Sequence, residues 1–306
     1  MSALDLRGRS VVLTGASGGI GAALTAEFVA AGARVIAVGR DLSKLQRLAA
    51  AYPRDAVVAL AADVATDAGR EAIATQAHAQ RASLLVIAHA QPGFGMFEAQ
   101  DPAALQRMID TNLSAPMLLL HALLPALRAQ ARADAPAAVV AVGSTFGSLA
   151  YPGFAAYSAG KFGLRGLIEG LRREYADSAL RFQYLAPRAT RTAFNSAAVD
   201  AMNRELNVAQ DAPEAVAKAL RAAIERGAAR RQLGWPEAFF VRLNALLPGA
   251  VDRSLKAQLP VVRRHAVGAA LAAPTAAAPV SHPMSPALSP SVSPVVLEIS
   301  HDTVTP

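Results

Sequence analysis

Cysteine is absent from the 306 residues. Thiol nucleophiles, disulfides and thiolate metal centres are thereby excluded, while the compartment stays open. No metal is expected. Aromatic residues make up 5% of the chain, with a single tryptophan, and they do not interleave with basic residues. The formal charge is +7, yet the arginines are scattered, with no dense basic run. Nucleic acid is therefore not an expected partner; the charge reads as solubility plus attraction to anionic ligands or lipid surfaces. No apolar run reaches the roughly 18–20 residues of a spanning helix. The opening "MSALDLRGRS" is mixed and polar, unlike a signal peptide. A cytoplasmic protein is expected. Its length suffices for one large α/β domain or two small ones, with a core that needs no staple.

What is present is an alternation. Strands are expected at Ser10–Thr14, Arg34–Val38, Ala56–Leu60, Leu84–Ala88, Ala138–Val142, Arg181–Leu185 and Arg230–Leu233. Helical patterns separate them at Ile20–Ala31, Asp41–Tyr52, Ala65–Gln80, a long region opened by Asp101–Pro102, Ala156–Ala176 and Pro213–Arg226. Short apolar runs alternating with helices imply a parallel sheet covered on both faces. Residues 1–235 form this domain. Residues 236–265 resemble two short amphipathic helices. Phe239, Phe240, Leu243, Leu246 and Leu247 share a face of the first; Val251, Leu255, Leu259 and Val262 line the second, which Pro260 interrupts. Residues 266–306, rich in Ala, Pro and Ser, are expected to be disordered.

"VVLTGASGGIGAALTAEF" places a strand, a glycine-bearing turn and a helix in succession. A helix starting there offers unpaired N–H groups and the positive end of its dipole, both suited to phosphate. Glycines allow close approach and positive φ. Strand, turn, helix, Gly32 and second strand make a unit of about 30 residues, the size of a nucleotide-binding βαβ. Far downstream, "YSAGK" sets Tyr157 and Lys161 four apart on a helix, hence on one face. A phenol near its usual pKa of about 10 is a weak base. A neighbouring ammonium would lower that value and make an acid/base group.

The turn reads T-G-x-x-x-G-x-G over Thr14, Gly15, Gly19 and Gly21. With "YSAGK" it resembles the short-chain dehydrogenase/reductase family from about Ser10 to Gly234. The resemblance implies a Rossmann-like doubly wound sheet of about seven strands, with a helical C-terminal extension added here. It implies that Gly15, Ser17, Gly19, Ile20 and Gly21 hold the pyrophosphate of NAD or NADP. Gly39 stands where NAD users carry an acid, and Arg40 follows, able to pair with a 2′-phosphate. NADP is therefore the expected cofactor ahead of NAD. Asp41 reads as a helix N-cap, and Asp63 matches the residue that reaches the adenine. Asn112, Ser144, Tyr157 and Lys161 correspond to the catalytic tetrad. Ser144 would orient the substrate oxygen and Tyr157 exchange the proton. Lys161 would hold the nicotinamide ribose and tune Tyr157, and Asn112 would hold a relay water. Hydride comes from the cofactor.

Two departures stand out. After the sixth strand, "LAPRATRTAF" keeps Pro187 and Thr192, the latter toward the nicotinamide carboxamide, but puts Arg188 at a glycine site and Thr190 at a valine site. Arg188 faces the substrate mouth or is solvated. The family's N-N-A-G is "AHAQ" here, and only Ala90 matches. His89 replaces an asparagine hydrogen bond or packs beside the turn. Thr145 is the nearest competitor to Ser144.

The expected function is hydride transfer between NADP and a carbonyl or secondary alcohol, with a 3-oxoacyl or other lipid-like molecule as a candidate substrate. A nucleotide-binding scaffold without catalysis is the alternative; a sugar-nucleotide epimerase lacks its T-G-x-x-G-x-x-G and its larger C-terminal domain. Residues 193–206 would form a variable lid. Residues 236–264 either lie on a membrane surface, basic groups toward anionic headgroups, or pack on the domain itself or across a dimer. The resemblance suggests a homo-oligomer through the Asp101–Gln130 and Tyr157–Tyr175 helices.

Overall fold

The computed structural model describes residues 4–271, with side chains as far as residue 267. Seven strands, β1 (Ser10–Thr14), β2 (Arg34–Gly39), β3 (Val57–Ala61), β4 (Leu84–Ile87), β5 (Ala137–Val142), β6 (Leu180–Ala186) and β7 (Arg230–Gln232), form one sheet. Its order is β3-β2-β1-β4-β5-β6-β7, and every neighbouring pair is parallel. The order reverses between β1 and β4, and ligands of such sheets sit outside the carboxyl ends of the strands at that point.

Successive side chains of a strand point to opposite faces. Val11 and Leu13 accordingly join one core and Val12 the other. The first face is covered by α1 (Gly19–Ala30), α2 (Leu42–Ala49) and α8 (Pro213–Glu225), through Leu24, Phe28, Leu45 and Leu220. The second is covered by α3 (Asp67–Ala79), α5 (Ala115–Gln130) and α6 (Ala155–Glu174), through Ile73, Leu119, Leu123, Leu164 and Ile168. Boundaries follow local capping. Asp101 accepts from the N–H groups of Ala103 and Ala104, with Pro102 opening α4 (Pro102–Ile109). The long helical region expected from Asp101 is divided: between α4 and α5, Asp110–Ser114 form one π-helical turn.

The C-terminal extension differs from its sequence pattern in two ways. After α7 (Ala197–Glu205) and α8 come α9 (Glu237–Leu246) and α10 (Pro248–Leu271), and α10 passes through Pro260 for 24 residues instead of stopping. A proline in a helix interior costs about 3 kcal/mol. Side-chain contacts on both sides of it hold the helix: Gln258 accepts from Tyr151 Oη at 2.5 Å, and Val262 and Ala266 are buried. Residues 266–271 thus belong to this helix, and the rest of the expected tail lies outside the described residues. Second, α9 does not dock by its predicted apolar face. Val241 is buried and Leu243 partly so, in a small cluster with Leu149 and Val251. Phe239, Phe240, Leu246 and Leu247 are 44%, 40%, 78% and 60% exposed.

Phe28 is fully buried where α1 lies on the sheet. Phe28→Ala should lower unfolding stability by about 3–5 kcal/mol, read as an earlier urea midpoint.

Candidate active site

At the end of β1 the chain enters the glycine turn. Gly15 has φ +70°, and a Cβ there would lie 2.8 Å from the backbone of His89. The segment after β4 therefore runs directly against the turn. A Cβ on Gly21 would lie 2.1 Å from the Gly15 carbonyl oxygen, and one on Gly19 2.4 Å from Thr192 Cγ2. Helix α1 starts with no side-chain cap and no acidic residue in its first turn. Its free N–H groups and positive end face a cradle that a methyl group would fill. Ser17 is exposed there and Ile20 packs partly into the core beneath. These residues fit a pyrophosphate.

One strand over, β2 ends at Gly39, where an added Cβ would meet Ser17 Oγ at 3.4 Å. Arg40 is exposed and has no ion-pair partner among the described residues. Asp41 caps α2, accepting from Lys44 N at 3.0 Å and Ser43 Oγ at 2.7 Å. Asp63 accepts from Ala65 N at 2.9 Å with one oxygen.

Helix α6 carries Tyr157 and Lys161, 8% and 2% exposed. The ammonium stands 5.8 Å from the phenol ring centroid and donates to the Val142 carbonyl at 3.3 Å. Burial lowers the Lys161 pKa from 10.5 to about 8. Burial also pushes the Tyr157 phenol up, and a hydrogen bond with Ser144 pulls it partly back. Here the sequence-based expectation is corrected. Loss of water is the largest influence on the phenol and favours its protonated form. Ser144 follows β5 in extended backbone and accepts from Phe146 N at 3.1 Å. Its competitor Thr145 is engaged elsewhere, accepting from Gln232 Nε2 at 2.8 Å.

Asn112 sits in the π-helical turn and is 1% exposed. Its Oδ1 accepts from Gln91 N at 2.7 Å and its Nδ2 donates to Gln91 O at 2.9 Å. The amide is thus spent on the backbone of the "AHAQ" segment, with Ala90 beside it. His89 takes the first of its two expected roles: its Nδ1 lies 2.7 Å from Thr14 Oγ1. Its Nε2 is enclosed without a partner, and burial lowers its pKa from 6.5 to about 4.

Arg188 fills neither role expected of it. Its guanidinium grips Asp211 with two hydrogen bonds, 2.9 and 2.7 Å, and donates to Trp235 O at 3.2 Å and Glu237 Oε2 at 3.5 Å. It ties the loop after β6 to the start of α9. Pro187 O accepts from Thr145 N at 3.2 Å, which holds this loop on the Ser144 segment. Thr192, four residues past Arg188, overlies Gly19.

Three features escaped the sequence reading. Tyr184 lies beneath the Ser144 loop, where a Cβ on Gly147 would lie 2.0 Å from its hydroxyl. Gly160 of "YSAGK" lets Asn112 approach, since a Cβ there would be 3.0 Å from Asn112 Cβ. Tyr157 also sits among aromatic rings, Phe194 at 6.1 Å and Phe146 at 6.5 Å between centroids. Only the glycine of "YSAGK" gave a signal, as a small residue inside a helix.

Between pH 8 and 10.5 the unfolded chain keeps a lysine proton that the folded chain has released at Lys161. Stability therefore rises with pH across that window. Lys161→Met should remove this rise, a difference of about 2 kcal/mol between pH 8 and 10, checked by chemical denaturation of both proteins at pH 8, 9 and 10.

Comparison with known proteins gives the same picture. The family model described as short chain dehydrogenase matches residues 9–203. The chain is 31% identical over 194 residues to a 3-dehydrosphinganine reductase of Arabidopsis thaliana, spanning 62% of this chain and 57% of that protein, and so well short of its full length. It is 30% identical over 197 residues to a 2,3-dihydroxy-2,3-dihydro-p-cumate dehydrogenase of Pseudomonas putida, covering 62% and 74% of the two chains. Among solved structures, a short-chain dehydrogenase of Streptomyces avermitilis superposes with TM-score 0.69 at 29% identity, over 84% of this chain and 97% of the other. One of Burkholderia cenocepacia, in complex with NADP, gives 0.70 at 25%, over 82% and 99%. The sheet order, the glycine cradle and the match over residues 9–203 place this protein in the short-chain dehydrogenase/reductase family of oxidoreductases.

Proposed function

We propose that this protein is an NADP-dependent carbonyl reductase. The observation that carries the reading is the buried Tyr157, kept protonated by burial, with Ser144 pulling against that shift and Lys161 one helical turn away. A protonated phenol is poised to donate to a carbonyl oxygen as that oxygen gains negative charge. Ser144 orients the oxygen. Lys161, which donates to the Val142 carbonyl, holds the ribose and tunes the phenol. Asn112 positions the "AHAQ" backbone against which the ribose lies. Gly15, Ser17, Gly19, Ile20, Gly21, Asp63, Ala90, Pro187 and Thr192 would hold the cofactor, which supplies the hydride when bound. Arg40, exposed beside Gly39 and without an ion pair among the described residues, supports NADP over NAD. The aromatic rings about Tyr157 favour an apolar, lipid-like carbonyl, and the likeness to a 3-dehydrosphinganine reductase points the same way.

The oligomer would form through α5 and α6, where Met117 and Leu118 of α5 are 43% and 48% exposed. We place the protein in the cytoplasm, with peripheral membrane contact through residues 236–264. Trp235, Phe239, Phe240 and Leu246 of α9, and Leu247 just after it make five of the eleven large exposed apolar side chains among the described residues. Arg242, Arg253 and Lys256, all exposed, supply cations nearby. No described helix is long and apolar enough to cross a membrane.

Tyr157→Phe should reduce NADPH-dependent ketone reduction by about 10²–10⁴-fold, measured by loss of NADPH absorbance. Wild-type turnover no faster than the variant would leave a nucleotide-binding scaffold. Arg40→Ala should raise the KM for NADPH about tenfold and leave that for NADH nearly unchanged. In vesicle flotation the protein should rise with phosphatidylglycerol vesicles, and Phe239→Asp/Phe240→Asp should stay at the bottom.

A further inference from the structure

The family match ends at residue 203, so it gives the C-terminal helices no role. Yet α10 joins the apolar cluster that contains Tyr157. Val262 is completely buried and belongs to one contiguous apolar cluster with Tyr157, Phe154, Met108, Val199 and Met202. Val261 packs against the same cluster from the same helix. These residues come from five places: α4, the segment leading into α6, α6 itself, the lid helix α7, and α10.

The approach is close. A Cβ on Gly153, which has φ +80°, would lie 3.1 Å from Val262 Cγ1 and 2.8 Å from the ring of Phe94. Polar contacts fix the helix at both ends of this stretch. Tyr151 donates to Gln258 one turn before Val262, at 2.5 Å. Just after it, Arg264 and His265 both hold Glu205 at the end of α7, the histidine at 2.8 Å. The helix is thus pinned to the loop that leads from Ser144 to Tyr157 on one side and to the lid on the other.

We propose that α10 forms one wall of the substrate chamber, and that Val262, with Val261 beside it, sets the size of the apolar group the chamber accepts. The proposal rests on the carbonyl-reductase reading for its substrate class. A substrate carbonyl must reach Tyr157, so its chain must displace part of the apolar cluster around that residue. The lid residues Val199 and Met202 lie on a short helix whose last turn is held by Glu205. Val262 lies in a 24-residue helix fixed before and after it. When the lid gives way and takes the Glu205 contacts with it, Val262 is still held by Gln258 on Tyr151 and by its packing at Gly153, and it remains as the side against which the chain must fit. Added side-chain volume at 262 therefore subtracts from the room for substrate, and removed volume adds to it.

The test uses full-length protein and straight-chain 2-ketones from butanone to dodecanone, with NADPH. Val262→Phe should lower kcat/KM for the long ketones about tenfold more than for the short ones. Val262→Ala should move the optimum toward longer chains. The Kd for NADPH, from fluorescence titration, should stay the same in all three proteins, because residue 262 is not part of the nucleotide cradle. An equal change along the whole series, or none, would overturn the assignment and leave Val262 as packing alone. If Val262→Phe does not fold, Val262→Ala decides by the same criterion. A binding readout separates this inference from the reductase reading. In a Tyr157→Phe background with NADPH present, ketone-induced shifts in melting temperature should depend on chain length, and the dependence should change with residue 262. That result together with absent turnover in wild type would sink the reductase and keep the wall. Shifts indifferent to residue 262, or no shift with any ketone, would sink the wall.

Discussion

Lys161 carries its amine where water does not reach, and the rest of the site is arranged around that cost. Its nitrogen has one hydrogen bond, to the last carbonyl of β5. The lowered affinity for a proton follows directly from burial. The same dry surroundings act in the opposite sense on the neighbouring phenol and keep it protonated. A group that readily releases its proton and one that tightly holds it therefore lie one turn apart on α6. Both would lose this character if water entered freely, so the site depends on the apolar cover above Tyr157 as much as on the polar groups below it.

That cover and the polar frame meet through backbone. Asn112 spends both ends of its amide on Gln91, and the π-helical turn aims it there. The peptide it grips belongs to the segment that also presses on Gly15. Glycine turn, "AHAQ" segment, π-helical turn and α6 are consequently in contact in series. The missing asparagines of "AHAQ" are offset by His89, which bonds to Thr14 of β1. Arg188, in place of a glycine, extends the series to the C-terminal helices by holding Asp211 and Glu237 together.

The sheet and most of the candidate site were legible because their signals are local. Runs such as Val11–Leu13 and Val139–Val140 announce buried strands. Gly15, Gly19 and Gly21 announce a crowded turn, and Tyr157 with Lys161 share a helix face by spacing alone. What was not legible depends on partners distant along the chain. Nothing near Pro260 shows that Tyr151 and Glu205 will carry the helix past it. The pattern of α9 gives an apolar face but not its direction, which is settled by how Val241 and Asn244 meet the loop after β5. The direction of the Tyr157 shift needs the depth of burial, which spacing does not contain. Arg188 looked undirected because its partners lie 23 and 49 residues away.

The place of Val262 after all seven strands bears on how the protein is made. Chains emerge and begin to fold from the N-terminus. Strands β1 to β7 can assemble before α10 has been synthesised, and until then Phe94, Phe154 and Met108 lack one of their covers. A nascent chain halted before residue 262 would thus display a sticky aromatic hollow beside a finished nucleotide cradle. That hollow cannot close until residue 262, which follows all seven strands, has left the ribosome.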